Sequence, residues 1–251
     1  MNSEKSIGRV VGILFLAQAL LAMPVYTQWG MMGSVTAPDF LANAAGDATQ
    51  IRAAVLLTFL LTALTLAAAL TAWPVLRRHS ERMAILFLSL TVAGLATRAM
   101  EAAVTRDMVT MSLLYTKPGA SKEFFEPLGA LARSTWASTH FINLALGHVK
   151  AFVFFVIVFR FALVPRGLAG AGVAATLLSM TAATMPLLGY RFSYALVGPA
   201  GLMQLALSLW LTARGFAERH HPTAEDTSAD GGGTYDTRMH RRRLRGDLRH
   251  H

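Results

Sequence analysis

Cysteine is absent from the chain. That excludes disulfides, thiolate metal sites and cysteine nucleophiles, and it leaves the redox state of the compartment open. Charge is scarce as well: 15% of residues are Asp, Glu, Lys or Arg, against about 25% in an average soluble domain. Hydrophobic residues make up 54%, and the mean hydropathy is +0.45. This is the balance of a membrane protein. Glu101 is the one carboxylate within the long apolar runs, so a carboxylate dyad is absent. There is no H-E-x-x-H pair for zinc, no G-x-S-x-G elbow and no phosphate-cradling glycine loop. His140 and His148 share one run while the other runs hold no histidine, which argues against a haem ligated from facing helices. No catalytic residue, metal or cofactor is assigned.

What is present is a set of six apolar runs long enough to span the bilayer's hydrocarbon core, at about residues 10–29, 51–73, 83–104, 138–161, 168–189 and 196–211. Backbone groups in lipid must be paired internally, and no alternating pattern points to a barrel, so the runs are expected to be helices. The expected fold is all-α: an integral membrane bundle of about six transmembrane helices over residues 1–216. Lys5, Arg9 and Ala17-Gln18-Ala19 give the first run some features of a signal peptide. Its apolar part continues about a dozen residues further, so a retained helix is the reading.

The formal net charge is +9. Most bases within the bundle stand at the ends of apolar runs, the placement that orients a protein in a bilayer rather than one that binds phosphates along a face. Lys5, Arg9, Arg77, Arg78, Arg82, Arg160, Arg166, Arg214 and Arg219 fall on one side, more than the Arg52, Arg106, Lys117, Lys122, Arg133 and Arg191 of the other. The expectation is a cell-membrane protein with both termini cytoplasmic. Residues 217–251 turn acidic and Ser/Thr/Gly-rich, then strongly basic, and are expected to form a disordered cytoplasmic tail. No aromatics interleave the terminal arginines, so nucleic acid is not expected as a partner. The lipid bilayer is; the oligomeric state is left open.

The loops carry their own signals. Asp39 is expected to begin a short helix, and Pro127 suits the first turn of a helix running straight into the fourth span. Pro186 is expected to break the fifth helix.

Two spans carry polar faces. Arg98 and Glu101 are three apart on the third, with Thr91, Gly94 and Thr105 on the same side. On the fourth, His140, Asn143, Gly147 and Lys150 follow one seam, and Gly147 is expected to admit a close neighbour. A charge at membrane depth costs roughly 3 kcal/mol and needs a partner or a wet cavity. By helical rise, Glu101 lies roughly 5 Å, Arg98 roughly 10 Å and Lys150 roughly 18 Å below the outer surface. Their side chains lean toward one another. A cluster of Arg98, Glu101, His140, Asn143 and Lys150 is therefore expected, with an excess of positive charge suited to an anion. Secondary candidates are His148, Arg52, Gln18 and Gln204; the two glutamines are expected to make interhelical hydrogen bonds. Thr58, Thr62 and Thr65 are expected to bond back to their own helix, and Gly170 and Gly172 to form a close-packing surface.

Several stretches together resemble the uncharacterised prokaryotic multi-pass membrane family designated domain of unknown function 4386. They are SIGRVVGILFLAQALLA, LANAAGDATQIRAAVLL with Arg52, TRAMEAA with Arg98 and Glu101, FRFALVPRGLAG with Arg160, Pro165, Arg166 and Leu168, and QLALSLWLTARGF. They run in order from about residue 7 to 216. The chain departs from the family where Val156 follows Phe154-Phe155 in place of a common glycine, and where Gln204 stands near a common acidic residue. The resemblance implies an integral multi-helix membrane protein and carries no activity with it.

Three functional readings follow. The first is a non-enzymatic membrane protein that binds, senses or moves a small anionic or amphiphilic molecule at the intramembrane cluster. The second is an intramembrane enzyme using His140 or His148 on a lipid-soluble substrate. The third is a structural or accessory subunit whose charges pair with a partner's helices.

Overall fold

The structure, a computed structural model, describes residues 3–26 and 30–218. In chain order the helices are α1 (Glu4–Tyr26), the short α2 (Gly33–Thr36) and α3 (Phe40–Asn43), then α4 (Ala48–His79), α5 (Glu81–Tyr115), α6 (Lys122–Arg160), α7 (Arg166–Thr184) and α8 (Tyr194–Arg214). Six of them are long and apolar enough to cross a membrane, and no strand occurs among the described residues. The all-α expectation holds. The tail lies, from residue 219, outside the described residues, as do residues 27–29 at the end of the first apolar run.

The six long helices form a closed ring. α4 packs on α1 and α5, α5 on α6, α6 on α7, α7 on α8, and α8 returns to α1. Short connections enforce the sequential neighbours. Ser80 alone separates α4 from α5; its extended backbone ends one helix, and its hydroxyl accepts from Met83 N at 3.4 Å to begin the next. Pro186 opens a 3-10 turn just past α7, as expected. α3 starts directly after Asp39, also as expected.

The one non-sequential seam, α1 against α8, rests on two glycines. Gly8 and Gly12 form a G-x-x-x-G pair, the spacing that lets two membrane helices approach closely. A Cβ on Gly8 would fall 2.1 Å from Phe216 N, and one on Gly12 would fall 2.3 Å from Thr212 N. Gly215 turns the chain at φ 74°, Phe216 enters the core, and Ala217 N bonds Leu163 O at 2.9 Å. On α7, Gly172 is a contact point as anticipated, since a Cβ there would collide with the Phe155 ring.

The ring's interior differs between its two ends. At the end bearing the α4–α5 and α6–α7 turns it is filled by apolar side chains, among them Phe15, Phe87, Phe154, Phe155, Leu207 and Leu211. Phe154 of α6 meets Phe15 of α1 edge-on at 5.5 Å between centroids, and Phe87 of α5 at 5.2 Å. α1 and α6 are opposite members of the ring, so Phe154 reaches across its middle. At the other end, the loop end, α2 and α3 lie over α5 and α6. Ser112 Oγ donates to Leu41 O at 2.9 Å and accepts from Ala45 N at 2.7 Å, and Arg133 donates to Thr36 O at 2.8 Å.

α6 does run unbroken from the loop into its span, but it starts at Lys122. Pro127 is therefore its sixth residue, not part of its first turn. The earlier start replaces a loop with about one and a half extra turns of helix.

Candidate functional site

The polar residues of α5 and α6 meet at the loop end of the ring. Glu101 is buried, and its carboxylate accepts three hydrogen bonds. Arg98 Nη1 donates to Oε2 at 2.8 Å, Asn143 Nδ2 to Oε2 at 2.9 Å, and His140 Nδ1 lies 2.8 Å from Oε1. An ionised carboxylate can only accept, so the His140 contact places the proton on Nδ1 and leaves Nε2 for another partner. The amide of Asn143 is fixed at both ends, because its Oδ1 accepts from Thr97 Oγ1 at 3.1 Å. Helical periodicity explains the convergence: Arg98 and Glu101 share one face of α5, and His140 and Asn143 share one face of α6.

Three further residues belong to this site that spacing alone does not single out. Trp136 stacks on His140 with centroids 4.9 Å apart and planes 15° from parallel. Tyr26 of α1 receives the Arg98 guanidinium over its ring at 5.3 Å. Thr97 orients Asn143. The signal for Trp136 and Thr97 lay in the i, i+4 relation to His140 and the adjacency to Arg98. Nothing in the sequence marks Tyr26, which reaches α5 from a helix that does not neighbour it in the ring.

Lys150 corrects the expected cluster. Ion pairs among the described residues join Arg78 to Glu4, and Glu101 to Arg98 and His140; Lys150 enters none of them. It makes no side-chain hydrogen bond with a described residue either. The reason is geometric. Asn143 already touches Glu101, and Lys150 lies seven residues beyond it, roughly 10 Å along the helix. A lysine stem covers about 6 Å. Three closer donors also engage the Glu101 carboxylate.

Between Lys150 and the Glu101 cluster the α5–α6 seam carries two glycines without close neighbours. Antiparallel packing of α5 and α6 is pinned at one end by His140–Glu101 and Asn143–Thr97 and at the other by Phe154–Phe87. Between these, Gly147 falls level with Gly94, and Lys150 with Thr91. A Cβ on Gly94 or Gly147 would meet nothing within 4 Å. Gly147 thus does not admit a close neighbour as expected; it leaves a gap. From the loop end inward, the seam reads Glu101 ion-pair cluster, glycine pair, lysine, aromatic floor.

The other candidates do not join this group. His148 points off the seam, and its Nε2 is buried without a partner among the described residues. Gln18 and Gln204 are half-buried, and the interhelical bonds expected of them are not made among the described residues. Arg52 lines a groove between α4 and α5. Thr58, Thr62 and Thr65 bond to carbonyls of their own helix, at 2.7 to 2.9 Å, as expected.

Six apolar helices closed around buried charge define a multi-pass membrane protein. Residues 10–215 match the family described as domain of unknown function DUF4386, and the chain belongs to it. No curated protein and no solved structure matches the chain.

Proposed function

We propose that the protein binds a small anionic or amphiphilic molecule inside the ring, with its negative group between Lys150 and Arg98. The observation that carries this reading is the state of the charges. Glu101 is engaged by Arg98, His140 and Asn143, whereas Lys150 has no counter-charge among the described residues and stands three residues along α6 from Gly147, where an added Cβ would meet nothing within 4 Å. A lysine within a membrane bundle needs a partner or water, and the glycine gap provides room for one. Phe87 and Phe154 offer an apolar surface below it for a short hydrocarbon portion. The bases at the helix ends favour both termini on the cytoplasmic side of the cell membrane, so the site would open toward the outer half of the bilayer.

Native mass spectrometry of gently extracted protein tests this directly. A bound small anion is expected on the wild type and not on Lys150→Met, with both folded. Retention of the same mass by Lys150→Met would overturn the reading.

One observation favours the enzymatic alternative. Glu101 holds Nδ1 of His140, the way a carboxylate orients an imidazole for general-base work. Turnover of a lipid-soluble substrate that vanishes in His140→Ala would establish it, and absence of turnover across a lipid panel would remove it.

A further inference from the structure

A second site faces away from the ring's interior. Between α4 and α5 runs a groove of about 400 Å³. Its α4 wall is Arg52, Val55, Leu56 and Phe59; its α5 wall is Ala99, Ala103 and Arg106, and its floor is the buried Ile51, Ala102 and Val109. Leu56 is 71% exposed and Phe59 40%, so the groove opens outward, where lipid lies. On α5 its exposed wall residues Ala99, Ala103 and Arg106 stand roughly 80–160° round the helix from Arg98 and Glu101, at about 100° per residue. The groove and the Glu101 cluster are therefore separate sites on one helix.

Its chemistry is graded. Both arginines are at the end of the groove nearest the loop end of the bundle. Arg52 is the fifth residue of α4, and Arg106 stands two residues past the apolar run of α5. They stand where hydrocarbon gives way to headgroups. Neither forms an ion pair with a described carboxylate. Deeper in, the lining is wholly apolar, and Ala99 and Ala103 are small enough to leave a slot.

We infer that this groove holds an anionic phospholipid, its phosphate between Arg52 and Arg106 and one acyl chain along Val55, Leu56 and Phe59. Arginine is the side chain best shaped for phosphate, through paired N–H donors in a planar fork. Two arginines at one mouth, with no acid opposing them, favour an anionic lipid over a zwitterionic one, whose own cation they would repel. The apolar slot then distinguishes a seated lipid from a loose headgroup contact.

The test uses the full chain in vesicles of mixed phosphatidylglycerol and phosphatidylcholine, followed by native mass spectrometry. Wild type is expected to retain phosphatidylglycerol preferentially. The double variant Arg52→Gln/Arg106→Gln should lose at least about tenfold of that preference. Ala99→Phe/Ala103→Phe fills the slot while keeping both arginines and should lose it too. All four positions are exposed, so circular dichroism is expected to show each variant folded. Equal retention of the two lipids by wild type would overturn the inference, as would unchanged preference in the arginine variant. Loss with the arginine variant but not with the phenylalanine variant would also overturn it, by reducing the site to surface charge.

Discussion

Glu101 and Lys150 are both ionisable groups within helices that cross the membrane, and their surroundings predict opposite responses to neutralisation. Glu101 accepts from three donors on two helices. Glu101→Gln would leave Arg98 without its counter-charge and put an amide donor against Asn143 and His140. Removing one member of a buried pair typically costs about 3–5 kcal/mol, and a loss of about 3 kcal/mol is expected in denaturant unfolding of the detergent-solubilised protein. Lys150→Met removes a charge that has no partner to lose, so its stability should stay within about 1 kcal/mol of wild type or rise. The two faces were legible in the sequence because Arg98/Glu101 and His140/Asn143 follow helical spacing. Lys150 follows it too, yet it makes no hydrogen bond or ion pair with the others among the described residues. Spacing gives direction but not reach, and Lys150 lies about two turns beyond Asn143.

Among the helices, α1 and α8 give the sharpest expectation. Their seam is backbone against backbone at Gly8 and Gly12. Gly12→Leu should push α1 from α8 and cost at least about 2 kcal/mol through overpacking, read as a lowered unfolding midpoint. At Gly147 an added Cβ meets nothing within 4 Å, so Gly147→Ala should be tolerated, though it would narrow the gap beside Lys150. Both glycines look alike in sequence: each sits at regular spacing on an apolar helix. Gly8 and Gly12 show the informative sign, a four-residue repeat of glycine, and Gly147 does not. The six long helices were readable from apolar length, and Pro186 from its lack of an N–H, whereas the four-residue α2 was not. The start of α6 was not, because Pro127 is tolerated one turn further inside a helix than its preferred place.

At the scale of the whole molecule, the ring order is only partly a property of the sequence. The tight turn at Ser80 makes α4 and α5 neighbours, but nothing in the apolar runs states that α8 returns to α1 or that Phe154 reaches across to Phe15. That crossing is what separates the filled end of the ring from the polar one. Phe154→Ala should remove the floor and cost about 3 kcal/mol or more as a core truncation. Its effect should extend to the site: an apolar tail resting on Phe154 would lose its support while Lys150 remained.

Lys150 is a cation without a counter-charge among the described residues, and a thermal-shift comparison of octanoate with octylammonium tests the proposal that it holds an anion. The two probes share a chain and differ in the sign of the headgroup. Octanoate is expected to raise the unfolding midpoint of the wild type, octylammonium is not, and Lys150→Met is expected to abolish the octanoate response while keeping the unliganded midpoint. Equal shifts with both probes, or a full octanoate response in Lys150→Met, would contradict it.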